Sequence, residues 1–116
     1  MKHHLETNLT RQEFEKVGMY VGTILEANDF PEAKKPAYQL TIDFGNEIGI
    51  KKSSAQITKR YSVEDLLGKQ IIAVVNFPKK QIANFISECL VLGSVKDNDI
   101  VLLTTDFKVV NGLRIG

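Results

Sequence analysis

In residues 38–44 every second position is apolar (Tyr38, Leu40, Ile42, Phe44), and the positions between, Gln39, Thr41 and Asp43, are polar. Side chains on a strand point alternately to its two faces, so this pattern demands a strand with one face in a core and the other in water. Such a strand needs partners, and the rest of the chain offers them. Across residues 17–30 the spacing of Val17, Met19 and Val21, followed by Ile24 and Leu25, predicts a long, coiled first strand in which Gly18 and Gly22 permit a bend or a close approach. Gly45 and Asn46 then turn the chain into a third strand at 48–52. A nearly continuous apolar run at 71–75 predicts a central strand, broken by Pro78 before a basic loop with Lys79 and Lys80. Residues 90–95 and 100–103 add two strands, and Asn111–Gly112 carries the signal of a two-residue hairpin turn at 109–113.

Helical signals are confined to short stretches. Thr10 and Glu13 form a Thr-x-x-Glu capping box ahead of Phe14 and Val17. Between residues 54 and 67 the β pattern lapses, and Ser62 caps a helical turn over 63–67 that Gly68 stops. This segment reads as a connector across the end of a barrel. At 116 residues and 43% hydrophobic content the chain fits one domain, residues 1–116, able to bury roughly two-thirds of its unfolded surface. The elements together predict an all-β fold, a small Greek-key barrel of the OB type with short helical segments.

Charge singles out a surface. Residues 51–80 hold seven Lys or Arg against two acidic groups, Glu64 and Asp65, whereas the whole chain is only +1. A local excess of that size points to a docking surface for an anion. In an OB-type barrel a ligand lies across strands 2 and 3, between the loop after strand 1 and the loop between strands 4 and 5. Here Lys34 and Lys35 fall in the first loop, stiffened by Pro31 and Pro36, and Lys79 and Lys80 in the second. Lys51, Lys52, Ser53 and Ser54 combine charge with hydroxyl donors, but alternation lets only one of the two lysines, assigned as Lys51, face the groove. Gln56, Lys59 and Arg60 lie on the connector, where Arg can form a planar fork with a phosphate or carboxylate. Tyr38, Tyr61, Phe77 and Phe85 could stack on a ligand, although core packing is the competing role for each; Phe77, beside Pro78, is the first to test.

Other chemistries find little support. Asp29, Asp43 and Glu47 have no recognisable acid–base partner, and the two histidines, His3 and His4, are adjacent at the start of the chain. One cysteine, Cys89, permits no internal disulfide and with that histidine pair supplies no zinc site; its apolar setting predicts burial in a strand. Neither a catalytic role nor a cofactor is expected. No apolar run approaches the roughly 18 residues of a membrane span, and His3, His4 and Glu6 stand where a secretory signal would be apolar, so no membrane insertion and a cytoplasmic location are expected.

The chain resembles the tRNA-binding-domain family. The resemblance rests on residues 21–24 (Val-Gly-Thr-Ile), 30–34 (Phe-Pro-Glu-Ala-Lys), 43–45, Ser53 and Ser54, 67–69 (Leu-Gly-Lys) and 75–77 (Val-Asn-Phe). Within that family, residues 43–50, 53–61 and 72–78 are similar to a free-standing, export-related chaperone branch. The resemblance implies a homodimer, unfolded or preprotein polypeptides as partners, a link to the export ATPase, and tRNA or another structured RNA as the alternative ligand. It also adds Asn76 and Ser87 to the candidate binding residues. Where the family follows its last motif serine with Gly and Met, this chain has Ser87, Glu88 and Cys89, and a Glu88 turned into the groove would oppose RNA. Leu5, Leu9 and Phe14 at one end, and Val109, Val110, Leu113 and Ile115 at the other, are more apolar residues than a small barrel's core requires; both ends are expected to serve dimerisation.

Overall fold

The computed structural model describes residues 8–116, so His3, His4, Leu5 and Glu6 lie outside the described residues. Helix α1 (Arg11–Glu15) starts at the expected capping box: Thr10 Oγ1 accepts from the Glu13 N–H, and the Glu13 carboxylate accepts from the Thr10 N–H. Those hydrogen bonds, the backbone one foremost, hold the Glu13 carboxyl below its ordinary range. The main sheet contains β1 (Met19–Asp29), β2 (Tyr38–Asp43), β3 (Ile50–Ala55), β4 (Gln70–Val74) and β7 (Leu90–Val91), in the order β3-β2-β1-β4-β7 with every pairing antiparallel. Strand β1 is long because it serves two neighbours. Its first half pairs with β4 and its second with β2, both registers passing through Thr23 and a bulge following at Ile24–Glu26. A Cβ on Gly22 would stand 2.7 Å from Ile42 Cγ2 and 2.8 Å from Phe44, so only glycine allows β1 to bend this tightly over β2.

Strand β2 buries Tyr38, Leu40 and Ile42 and leaves the residues between them half-buried, as its alternation requires. These side chains join Ile24, Phe44, Ile57, Leu66, Ile71 and Ala73 in the main core. Short contacts of another kind bring β3 back to the segment before β7. The Glu88 N–H donates to the Lys52 carbonyl (2.7 Å), the Lys52 N–H to Glu88 Oε1 (3.0 Å), the Ser54 N–H to Ser87 Oγ (3.1 Å) and Ser53 Oγ to the Cys89 carbonyl (2.9 Å). The result is a nearly closed antiparallel barrel of the OB type whose last seam is stitched largely by side chains.

Several local expectations are corrected. Residues 45–48 form a helical turn, α2 (Gly45–Ile48), because Gly45 and Gly49 both take φ +86° and redirect the chain, so the third strand begins at Ile50 and runs to Ala55. The connector is correspondingly shorter and carries α3 (Val63–Leu66), capped by Ser62 and Asp65. Lys80 is not in a loop: β5 (Lys80–Ile82) and β6 (Phe85–Ser87) form a hairpin turning at Ala83, which takes φ 52°. The strand expected at 90–95 is split at Leu92 between β7 and β8 (Gly93–Lys96), and β8 pairs with β9 (Asp99–Leu102) through a turn at Asp97. Asn111–Gly112 makes a turn but no hairpin. Instead the chain after it lies along β1, with Gly112 and Ile115 N–H donating to the Val21 and Met19 carbonyls and Val21 N–H to Leu113. Cys89 is buried, but between strands rather than in one. Among the described residues, no helix is long and apolar enough to cross a membrane.

Candidate ligand-binding trough

Two concavities that share Ser54, Gln56, Lys80 and Ile82 form one trough along the outer side of β3. The first, about 470 Å³, is walled by Ala55 and Ile57, by Phe77 and Pro78 of the loop after β4, by Cys89 to Val91, and by Gly93, Val95 and Ile100 of the β8–β9 hairpin. The second, about 560 Å³, runs between the loop after β1 (Glu32, Ala33, Lys34, Lys35) and the β5–β6 hairpin (Lys80 to Ala83).

The basic half is held by its own small core. Phe30, Ala37 and Phe85 are buried together against Ala33 and Ile82, with the Phe30 and Phe85 rings 5.4 Å apart and tilted by 58°. This cluster ties the Lys34–Lys35 loop to the hairpin bearing Lys80, gathering cations that are 45 positions apart in the chain. The apolar half rests on the main core. Its outer wall, the β8–β9 hairpin, is fastened by the Leu102 N–H donating to Tyr61 Oη (3.0 Å) and by a fork from Arg60 to Asp99 at 2.9 and 2.8 Å.

The expected binding residues meet different fates. Lys34, Lys35, Ser54, Gln56, Phe77, Lys80 and Ser87 line the trough, and Phe77 is 56% exposed. Tyr38 and Phe85 are core residues, and Tyr61 is packed against the core with its hydroxyl bonded to Leu102. Ser53 is fully buried, its hydroxyl committed to the Cys89 carbonyl, and it belongs to the barrel seam. Lys51 shares Ser53's side of β3, so alternation puts Lys52 rather than Lys51 on Ser54's side; neither lines the trough. Arg60 is engaged by Asp99 and lies outside the trough with Lys59. That fork, through its hydrogen bonds first, lowers the Asp99 pKa. Asn76 accepts from the Gly18 N–H and donates to the Lys16 carbonyl, fixing the exit from α1.

Lys79 and Lys80 are separated by one peptide bond and differ completely. Lys79 is 3.5 Å from Glu88 Oε2, whereas Lys80 lines both halves of the trough. Glu88 itself is turned to the seam, accepting from Lys52 and facing Lys79, and does not line the trough. Sequence reasoning missed Ile57, Ile82, Val95 and Ile100 as residues that line the trough. A strand's apolar residues read as core, and only their position at a barrel mouth exposes Val95 to 72%. Burial also pushes the Cys89 thiol up to about 11, so this sulfur at the trough floor stays protonated at neutral pH.

A family model described as "Putative tRNA binding domain" matches residues 19–114. Among solved structures, the chaperone CsaA from Bacillus anthracis str. Ames is similar with a TM-score of 0.88 and 50% identity, over 93% of this chain and 98% of that one. The CsaA chaperone protein from Picrophilus torridus is similar with a TM-score of 0.88 and 54% identity, over 93% and 99%. Among curated proteins, a methionine–tRNA ligase of Leptospira biflexa is 37% identical over 98 residues, which are 84% of this chain. The chain spans about 14% of the length of the curated relatives it matches.

Proposed function

This chain belongs to the tRNA-binding-domain family and is CsaA-like within it, and from that premise we propose that it is a non-catalytic, chaperone-like protein that holds unfolded or preprotein polypeptide in the trough. The observation that carries this reading is that three exposed apolar side chains, Phe77, Leu90 and Val95, line the trough together. Apolar surface of this kind gains roughly 25 cal/mol per Å² when covered and makes little demand on sequence, which suits a client that varies. Two of the expected phosphate-binding cations, Arg60 and Lys79, already face carboxylates, and this weakens the RNA reading relative to the peptide one.

The same reading takes residues 1–116 as one cytoplasmic unit that works as a homodimer. Exposed Leu9, Val110 and Leu113 at the chain ends supply apolar surface for a second copy, and pairing two troughs would add avidity. Association with the export ATPase is the further expectation that the resemblance brings; co-purification with that ATPase in the presence of a preprotein tests it.

Anisotropy titrations with a labelled, permanently unfolded protein and with labelled tRNA separate the two readings. Unfolded protein is expected to bind with an affinity that changes little between 50 and 500 mM salt. Binding of tRNA alone, with log affinity falling linearly against log salt, would replace this reading by the RNA one, which Lys34, Lys35 and Lys80 support.

A further inference from the structure

The two halves of the trough differ in chemistry, and the difference is ordered along its length. Apart from Lys80 at the junction, the first half has no charged lining residue. In the second half Lys34, Lys35 and Lys80 face a single carboxylate, Glu32, and among the described residues none of the three lysines has an acidic partner within salt-bridge distance. The neighbouring cations are taken up elsewhere: Lys79 by Glu88 and Arg60 by Asp99. At the junction lie the Ser54 hydroxyl and the Gln56 amide, which form no hydrogen bond among the described residues, although the Ser54 N–H is bonded to Ser87.

We infer that the preferred client of this trough is an extended peptide with a large apolar side chain beside a short run of acidic residues. The apolar side chain covers Phe77 and Val95, Ser54 and Gln56 meet the peptide groups at the junction, and the acidic residues reach Lys34, Lys35 and Lys80. This rests on the polypeptide reading above and adds a charge pattern to it. A nucleic-acid strand fits the arrangement less well, because it carries a phosphate at every step whereas the apolar half offers no cation beyond Lys80. An acidic peptide places its charge only where the lysines are.

The test uses the full chain and labelled peptides of equal length, each with a Leu-Phe anchor flanked by Ser, by Glu or by Lys, with each flank placed before or after the anchor. At 50 mM salt one of the two Glu arrangements is expected to bind about fivefold tighter than the Ser peptide and the Lys peptides more weakly. The Glu advantage should fall below about twofold at 500 mM salt, because exposed charges are screened beyond a Debye length of a few ångströms. The double variant K34E/K35E, shown to be folded by circular dichroism and a cooperative urea transition, should reverse the order of Glu and Lys peptides. Equal binding of Ser and Glu peptides, or equal loss of all peptides in K34E/K35E, overturns the charge pattern while leaving polypeptide binding intact. Failure of every peptide alongside tight tRNA binding overturns the polypeptide reading itself.

Discussion

At its apolar end the trough is an outcrop of the main core: Ala55, Ile57 and Cys89 belong to the large buried cluster and also line the cavity. At its basic end it stands on a separate cluster of three buried residues, Phe30, Ala37 and Phe85. Both ends therefore cannot fail in the same way. Damage to the apolar floor reaches the main core, whereas the lysines depend first on a smaller cluster outside it. One trough thus draws its shape from the fold and its charge from a local clamp.

The sharpest way to break that distinction is Phe85→Ala. Loss of a buried aromatic costs about 3 kcal/mol, the lower end of the usual range because a surface cluster can partly collapse. Urea unfolding should show this loss with a cooperative transition retained, and the variant should lose any preference for acidic peptides while still binding apolar ones. If apolar binding disappears as well, the two ends are not independent.

Beneath the apolar end, Cys89 provides a pH handle. Its pKa is raised from 9.0 to about 11 by burial, so the folded state favours the neutral thiol. The corresponding stability is fully present below pH 9 and is lost as pH rises from 9 through about 11. The stability difference between the native chain and Cys89→Ala should shrink by between about 2 and 3 kcal/mol across that window, measured by denaturant titration at each pH. A constant difference would mean that the sulfur is open to solvent and the floor is not closed.

Phe77→Ala should leave stability within about 0.5 kcal/mol, because the ring is mostly exposed, yet weaken polypeptide binding by about 1 kcal/mol, or roughly fivefold. The smallest effect is expected at the hairpin wall. Asp99 has a lowered pKa through its hydrogen bonds to Arg60, so its contribution is present above the ordinary carboxylate range and is lost as pH falls through the lowered value. The Arg60 Nε–H resonance should shift in that acid window in the native chain but not in Asp99→Asn.

Much of this fold was legible. The alternation of 38–44 became β2 with its apolar residues inward, the two capping motifs at Thr10 and Ser62 formed as written, and Gly22 sits where β1 crosses closest to Ile42 and Phe44. These are consequences of residues a few positions apart. The β5–β6 hairpin was not legible, because two three-residue strands joined at Ala83–Asn84 are too short to display a period. Of the candidate site, Lys34, Lys35, Phe77 and Lys80 were placed in the right loops or beside them. The separation of Lys79 from Lys80 could not be anticipated, since Glu88 becomes Lys79's neighbour only when the hairpin folds back.

The sequence by itself determined where strands, turns and caps could form and that positive charge would be concentrated in residues 51–80, because those properties depend on neighbours along the chain. Tertiary structure alone decided which cations keep an open face, which serine became a seam residue and which apolar side chains line a mouth instead of a core. Solvation and electrostatics act over a few ångströms of space, and residues such as Arg60 and Asp99 come within that distance only once the barrel has closed.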